Sequence, residues 1–143
     1  METPQGKPTR VLVVDDDPAN RALCSRTLEL AGYDVLEAED GQRGLELARS
    51  EDPDLALLDV RMPRLDGFEL AEALRGDSRT RAIPVVFVSG EADPTSYARA
   101  RALGAAGFLP KPFDVHTLRS LVARVAGNRF SQGASIESGG SLA

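Results

Sequence analysis

VLVVDDDP, residues 11–18, is a short apolar run closed by three carboxylates and a proline. A continuous apolar run of this length suits a parallel strand buried on both faces. Pro18 fits the first position of a helix, which makes Asp17 its natural N-cap. Asp15 and Asp16 are then left at the carboxyl end of the strand, the edge where open α/β sheets place their ligands. The same pattern recurs down the chain: LALL runs into Asp59, VVFV into Ser89 and GFLP into Lys111.

Working outward, strand-like runs fall at Val11–Val14, Tyr33–Ala38, Leu55–Leu58, Val85–Val88 and Gly107–Leu109. Helical patterns fall between and after them at Pro18–Ala31, Gly41–Ser50, Gly67–Leu74, Pro94–Leu103 and Val115–Val125. Strand and helix alternating in this way predict one doubly wound α/β layer structure with a parallel five-stranded sheet. A closed barrel needs eight such units. Gly32 falls where a left-handed residue ends a helix, Asp114 stands as an N-cap before the last helix, and Gly104–Gly107 reads as a tight small-residue turn. Pro84 heads a strand, where its missing N–H can lie outside the ladder.

The 143 residues suffice for one domain with a real core. The net charge of −5 gives no electrostatic footprint for nucleic acid or an anionic membrane. No apolar run approaches a bilayer span, and METPQGKPTR lacks the apolar core of a secretion signal, so a cytoplasmic location is expected. The single cysteine, Cys24, shares helical spacing with Leu28 and Ala31 and reads as a small core residue, without the exposure that redox chemistry needs. Residues 1–8 read as a flexible lead-in, 9–126 as the folded domain and 127–143 as a disordered Ser/Gly-rich tail or linker.

The strand ends carry the chemistry. Asp15, Asp16 and Asp59 on one sheet edge repel one another, and a hard cation is the expected compensator. Mg2+ takes oxygen ligands and keeps several waters. A carboxylate can also accept a phosphoryl group and become an aspartyl phosphate. That reaction needs an in-line carboxylate, a metal and a fixed cation for the developing charge. Asp59 suits the acceptor and Lys111 the fixed cation, while the Ser89 hydroxyl is short enough to reach a phosphoryl oxygen and has no such partner before one arrives.

VLVVDDDP, LALLDVRMPRLDG, VVFVSG and GFLPKPF, in this order, resemble the receiver domain of two-component response regulators, from about Thr9 to Val125. The resemblance implies a flavodoxin-like (βα)5 three-layer sandwich of strand order 2-1-3-4-5, as in chemotaxis regulators. It implies Asp59 as phosphoacceptor, with Mg2+ (which Mn2+ can replace) held by Asp16 directly, by Asp15 largely through water, by Asp59 and by the Arg61 backbone carbonyl. Lys111 would pair with the phosphoryl group and precede a cis bond to Pro112. Ser89 would be the switch hydroxyl and Phe108 the switch aromatic, here without the hydroxyl of the more frequent Tyr. Arg61 and Glu91 stand where the family tunes phosphorylation and hydrolysis, and could pair across the mouth. The implied donor is a sensor histidine kinase or phosphotransfer protein. The implied output is a partner protein or a homodimer through the 94–125 face. No direct nucleic-acid or membrane contact is implied, and no enzymatic activity beyond self-phosphorylation and self-dephosphorylation.

Two other readings use the same residues. Asp15-x-Asp17 after a strand also resembles a haloacid-dehalogenase-type phosphatase with Asp15 as nucleophile, although DVRMPRLDG would then lack a purpose and no further acidic pair follows Lys111. A receiver-like interaction module working without phosphorylation is the third. Taken singly, Lys111 is an ordinary surface lysine and Ser89 a local hydrogen-bonding turn residue. His116 reads as an ordinary helix residue, and Arg99 and Arg101 as a solvated helix face.

Overall fold

The structure is a computed structural model describing residues 7–130. Residues 1–6 and 131–143, which carry most of the expected lead-in and tail, lie outside the described residues. Five strand–helix units follow one another: β1 (Arg10–Val14), α1 (Pro18–Leu30), β2 (Asp34–Ala38), α2 (Gly41–Glu51), β3 (Leu55–Asp59), α3 (Gly67–Arg75), β4 (Val85–Ser89), α4 (Pro94–Ala102), β5 (Gly107–Pro110) and α5 (Val115–Phe130). The strands are parallel in the order β2-β1-β3-β4-β5. This is the flavodoxin-like order 2-1-3-4-5 that the sequence resemblance implied.

Alternation along each strand divides the core in two, because successive side chains point to opposite sheet faces. Leu12, Val14, Ala56, Leu58, Val85 and Phe87 join the core beneath α2, α3 and α4. Val11, Val13, Leu55, Leu57, Val86 and Val88 join the core beneath α1 and α5, with Cys24, Leu28, Leu118 and Val122. All residues of β3 and β4 are buried, as near-continuous apolar runs in a doubly covered sheet require. Cys24 is 4% exposed and Leu28 fully buried. Ala31, expected on the same face, is exposed because α1 ends at Leu30 and Ala31 serves as its cap.

The caps follow elementary rules. The Asp17, Asp40, Asp66, Asp93 and Asp114 carboxylates each accept a backbone N–H in the first turn of the following helix. Asp66 and Glu69 form a reciprocal capping box at the head of α3. Gly32 adopts φ 99°, the left-handed conformation a side chain resists. The last helix is longer than its apolar pattern: it continues through Gly127 and Asn128 to Phe130, since one Gly weakens a helix by only about 1 kcal/mol and need not end it. Among the described residues no helix is long and apolar enough to cross a membrane.

Candidate functional site

Three strands deliver their ends to one pocket. β1 ends at Val14 and places Asp15 and Asp16, β3 ends on Asp59, and β5 is followed by Lys111. One carboxylate oxygen from each of Asp15, Asp16 and Asp59 lies within 4.8 Å of the others. Asp15 and Asp59 are each 4% exposed, while Asp16 is open to solvent. The Lys111 ammonium donates to Asp59 Oδ1 at 3.1 Å and lies 3.9 Å from Asp15 Oδ2.

The backbone around these groups is tightly held. Asp17 N–H donates to Asp15 Oδ1 at 2.9 Å, fixing the rotamer of that carboxylate. Lys111 N–H donates to Ser89 O at 2.7 Å, so β4 carries the lysine's backbone. The Lys111–Pro112 bond is cis. Gly67 N–H donates to Val60 O at 3.0 Å, and a Cβ at Gly67 would lie 2.4 Å from the Asp59 carbonyl oxygen. Only glycine lets the head of α3 rest on the end of β3 this closely.

Two of the three carboxylates facing the one ammonium, Asp15 and Asp59, are buried, and their acidities show the strain. Burial, then the neighbouring Asp15 charge, pushes Asp59 up to about 6 against the pull of Lys111. Burial also raises Asp15, with the Asp17 N–H and Lys111 opposing it. Burial lowers the Lys111 ammonium, but the Asp59 charge and hydrogen bond, with Asp15 and Asp17 behind them, leave it raised overall. The donor set is all oxygen and carries uncompensated negative charge, which fits a hard divalent cation.

The flanking residues divide into those on the pocket and those beside it. Ser89 is fully buried, and its hydroxyl is bonded locally: it accepts from Glu91 N–H at 2.9 Å and donates weakly back to Glu91 O at 3.5 Å. That local turn is the ordinary habit of a serine after a strand. Arg61 and Glu91 form an ion pair linking the β3–α3 and β4–α4 loops, both side chains more than half exposed. Phe108 is half-buried and its ring lies 4.4 Å from that of Tyr97 on α4. His116 is exposed on α5. Arg101 is exposed as expected, whereas the guanidinium of the exposed Arg99 sits 4.7 Å above the Phe68 ring. The Cys24 thiol is pushed up to about 11 by burial, then by the Asp15 charge, which keeps it protonated and inert.

Arg21 is the supporting residue that the sequence pattern did not single out. It donates to the Asp15 backbone oxygen at 2.7 Å and to Glu37 at 3.2 Å, tying the first carboxylate loop to β2. Its only signal was its position one helical turn after the N-cap Asp17. Gly67 was equally legible only as a helix start, not as the residue that rests on Asp59.

Comparison with known proteins agrees with this geometry. Residues 11–123 match the response regulator receiver domain family. RpaA of Synechocystis sp., named a DNA-binding dual master transcriptional regulator, is 43% identical over 81% of this chain, which spans 47% of RpaA's length. Protein PilH of Pseudomonas aeruginosa is 40% identical over 81% of this chain and 96% of its own. The chemotaxis protein CheY4 of Vibrio cholerae superposes with a TM-score of 0.80 at 37% identity, covering 83% of this chain and 99% of that one. The match over most of the chain, together with this fold and strand-end pocket, places the protein in the response regulator receiver family of two-component systems.

Proposed function

We propose that Asp59 is the phosphoryl acceptor of a Mg2+-dependent signalling switch. The observation that carries this reading is the placement of Asp59: it ends a central strand, almost fully buried, 3.1 Å from the Lys111 ammonium and beside two further carboxylates. A phosphohistidine on a sensor kinase or phosphotransfer protein is the donor. Its N–P bond breaks as an Asp59 carboxylate oxygen bonds to phosphorus, and the donor imidazole leaves. Asp15, Asp16, Asp59 and the Arg61 carbonyl would hold Mg2+, which supplies charge neutralisation for the transferring oxygens. Lys111 exchanges part of its contact with Asp59 for a phosphoryl oxygen and holds the new charge.

The response begins at Ser89. To reach the phosphoryl group its hydroxyl gives up the bond from Glu91 N–H, which pulls on the loop leading into α4. Phe108 follows, and the surface from Pro94 to Leu109, with α5 behind it, changes for an output partner or a second copy. The Arg61–Glu91 pair links the two loops at the pocket mouth and slows attacking water. Arg61→Ala or Glu91→Ala therefore shortens the aspartyl-phosphate lifetime.

Incubation with Mg2+ and acetyl phosphate, followed by intact mass and site mapping, tests the assignment. One phosphoryl adduct on Asp59, absent without Mg2+ and in Asp59→Ala, is expected. An adduct on Asp15 with steady donor turnover would instead establish the phosphatase chemistry. No adduct in the intact protein would leave an interaction module that works without phosphorylation.

A further inference from the structure

The weakly attached α4 is held to the body by two aromatic contacts that reach the site by separate routes. Its one buried residue is Ala100. Tyr97, 37% exposed, lies against Phe108 of β5. Two residues further on, the Arg99 guanidinium lies over the face of Phe68, the second residue of α3. Among the described residues Arg99 makes no ion pair, so this cation–π contact is its one specific engagement. The far end of α4 is fixed independently, where Arg75 donates to Leu103 O at 3.2 Å and to Ile83 O at 2.9 Å.

Phe68 is not a remote anchor. It follows Gly67, whose backbone rests on the Asp59 carbonyl and bonds Val60 O. Its ring also lies 4.8 Å from Phe87, which is fully buried on β4 two residues before Ser89. Movement of the β3–α3 loop therefore displaces the surface on which Arg99 sits. Phe108, by contrast, follows β5 and Ser89.

We infer that Arg99 is a positioning residue that ties α4, beside its Tyr97 contact, to the acidic site through Phe68, by a route independent of Ser89 and Phe108. α4 pivots about its Arg75-held end, and release of the Arg99 contact frees the Tyr97 edge to swing out. The signal-dependent half of this inference rests on Asp59 being the phosphoryl acceptor; the tie itself does not.

The chain has no Trp and two Tyr, so Tyr33→Phe leaves Tyr97 as the sole strong emitter and a reporter of α4. Acrylamide quenching of Tyr97 is read in that background, with far-UV circular dichroism confirming the fold. Arg99→Leu raises the open-to-closed ratio of α4 read by this quenching about two- to five-fold, the worth of an exposed cation–π contact. Arg99→Lys retains most of the protection, Phe68→Leu reproduces Arg99→Leu, and the double variant goes no further. With Mg2+ and acetyl phosphate, Ser89→Ala keeps part of the phosphorylation-induced change, and adding Arg99→Leu removes that remainder.

Quenching in Arg99→Leu equal to the parent overturns the tie. Additive Phe68→Leu and Arg99→Leu effects overturn the pairing, and complete loss of the response in Ser89→Ala overturns the second route. Absence of a phosphoryl adduct in the parent instead counts against the acceptor assignment, and the unphosphorylated comparison still decides the tie.

Discussion

α3 and α4 are each nine residues long, each begins at an Asp N-cap and each carries arginine in its last turn. Length, caps and terminal arginines make them near equivalents, and the apolar face that α3 has and α4 lacks makes them opposites. α3 buries Gly67, Phe68, Leu70, Ala71 and Leu74, and its head rests on the end of β3. α4 buries Ala100 alone and meets the body through ring contacts and its clamped C-terminal end. Capping decides that a helix forms, and the apolar face decides whether it stays in place. A switch needs one of each: a fixed helix to hold the acceptor loop and a loosely held one to respond.

The largest expected effect separates the two helices by stability. Leu70→Ala or Leu74→Ala removes a fully buried side chain and lowers stability by about 2–5 kcal/mol. Ala100→Gly in α4 costs about 1 kcal/mol. Urea unfolding measures both, and equal losses would break the comparison.

A pair of glycine substitutions sharpens it at the helix entrances. Gly67→Ala drives a methyl group into the Asp59 carbonyl oxygen, costing about 1–3 kcal/mol and slowing phosphorylation through the displaced acceptor. At Gly90, before α4, an added Cβ meets nothing within 4 Å, so Gly90→Ala shifts stability by no more than about 0.5 kcal/mol.

The acidic pocket beneath α3 opposes folding, and pH exposes this. Asp59 titrates near the ordinary carboxylate value when unfolded and at about 6 when folded, so the native state holds the proton more tightly. Without metal, stability is therefore greatest on this account below about pH 4 and falls as pH rises toward 6; Asp15 acts in the same direction. Asp77, Asp93 and Asp114, held low by their hydrogen bonds, act oppositely as pH falls. The difference from Asp59→Asn isolates the pocket: the variant should be more stable at about pH 7 by roughly 1–3 kcal/mol, with the gap closing toward pH 4. A gap that widens on acidification would contradict the account. Metal binding competes with the same proton and should weaken as pH drops through 6.

The smallest effect is local. Arg64, on the loop entering α3, adopts φ 67°, which disfavours a side chain. Arg64→Gly should gain about 0.5 kcal/mol after glycine's added chain entropy is counted, and a loss in urea unfolding would show that its 3.8 Å pairing with Asp40 matters more.

Much of this was legible from residues alone, for physical reasons. VLVV, LALL and VVFV read as buried strands because a doubly covered sheet needs no polar face. Asp15, Asp16, Asp59 and Lys111 read as one site because parallel strands share a carboxyl edge. Side-chain partners at longer range were not legible. The Arg61–Glu91 pair could be raised as a possibility, but nothing local dictates that two loops bring their side chains together. Ser89 could be read as a local hydrogen-bonding residue because a buried hydroxyl left unbonded is costly, and Glu91 N–H supplies the bond. Arg99 read as solvated because its helix lacks an apolar stripe, and its seat on Phe68 depends on how α3 and α4 pack. Arg21 drew no reading because its bond to the Asp15 carbonyl requires the folded loop.

The most direct test of the central claim is amide hydrogen exchange of residues 67–75 and 94–102, compared between the Mg2+- and acetyl-phosphate-treated protein and Asp59→Asn treated identically. The account predicts a change across 94–102 in the phosphorylated protein, an unchanged 67–75 beyond the first turn that carries Phe68, and no change in Asp59→Asn. Equal changes in both helices, or a change in α4 that survives in Asp59→Asn, would contradict it.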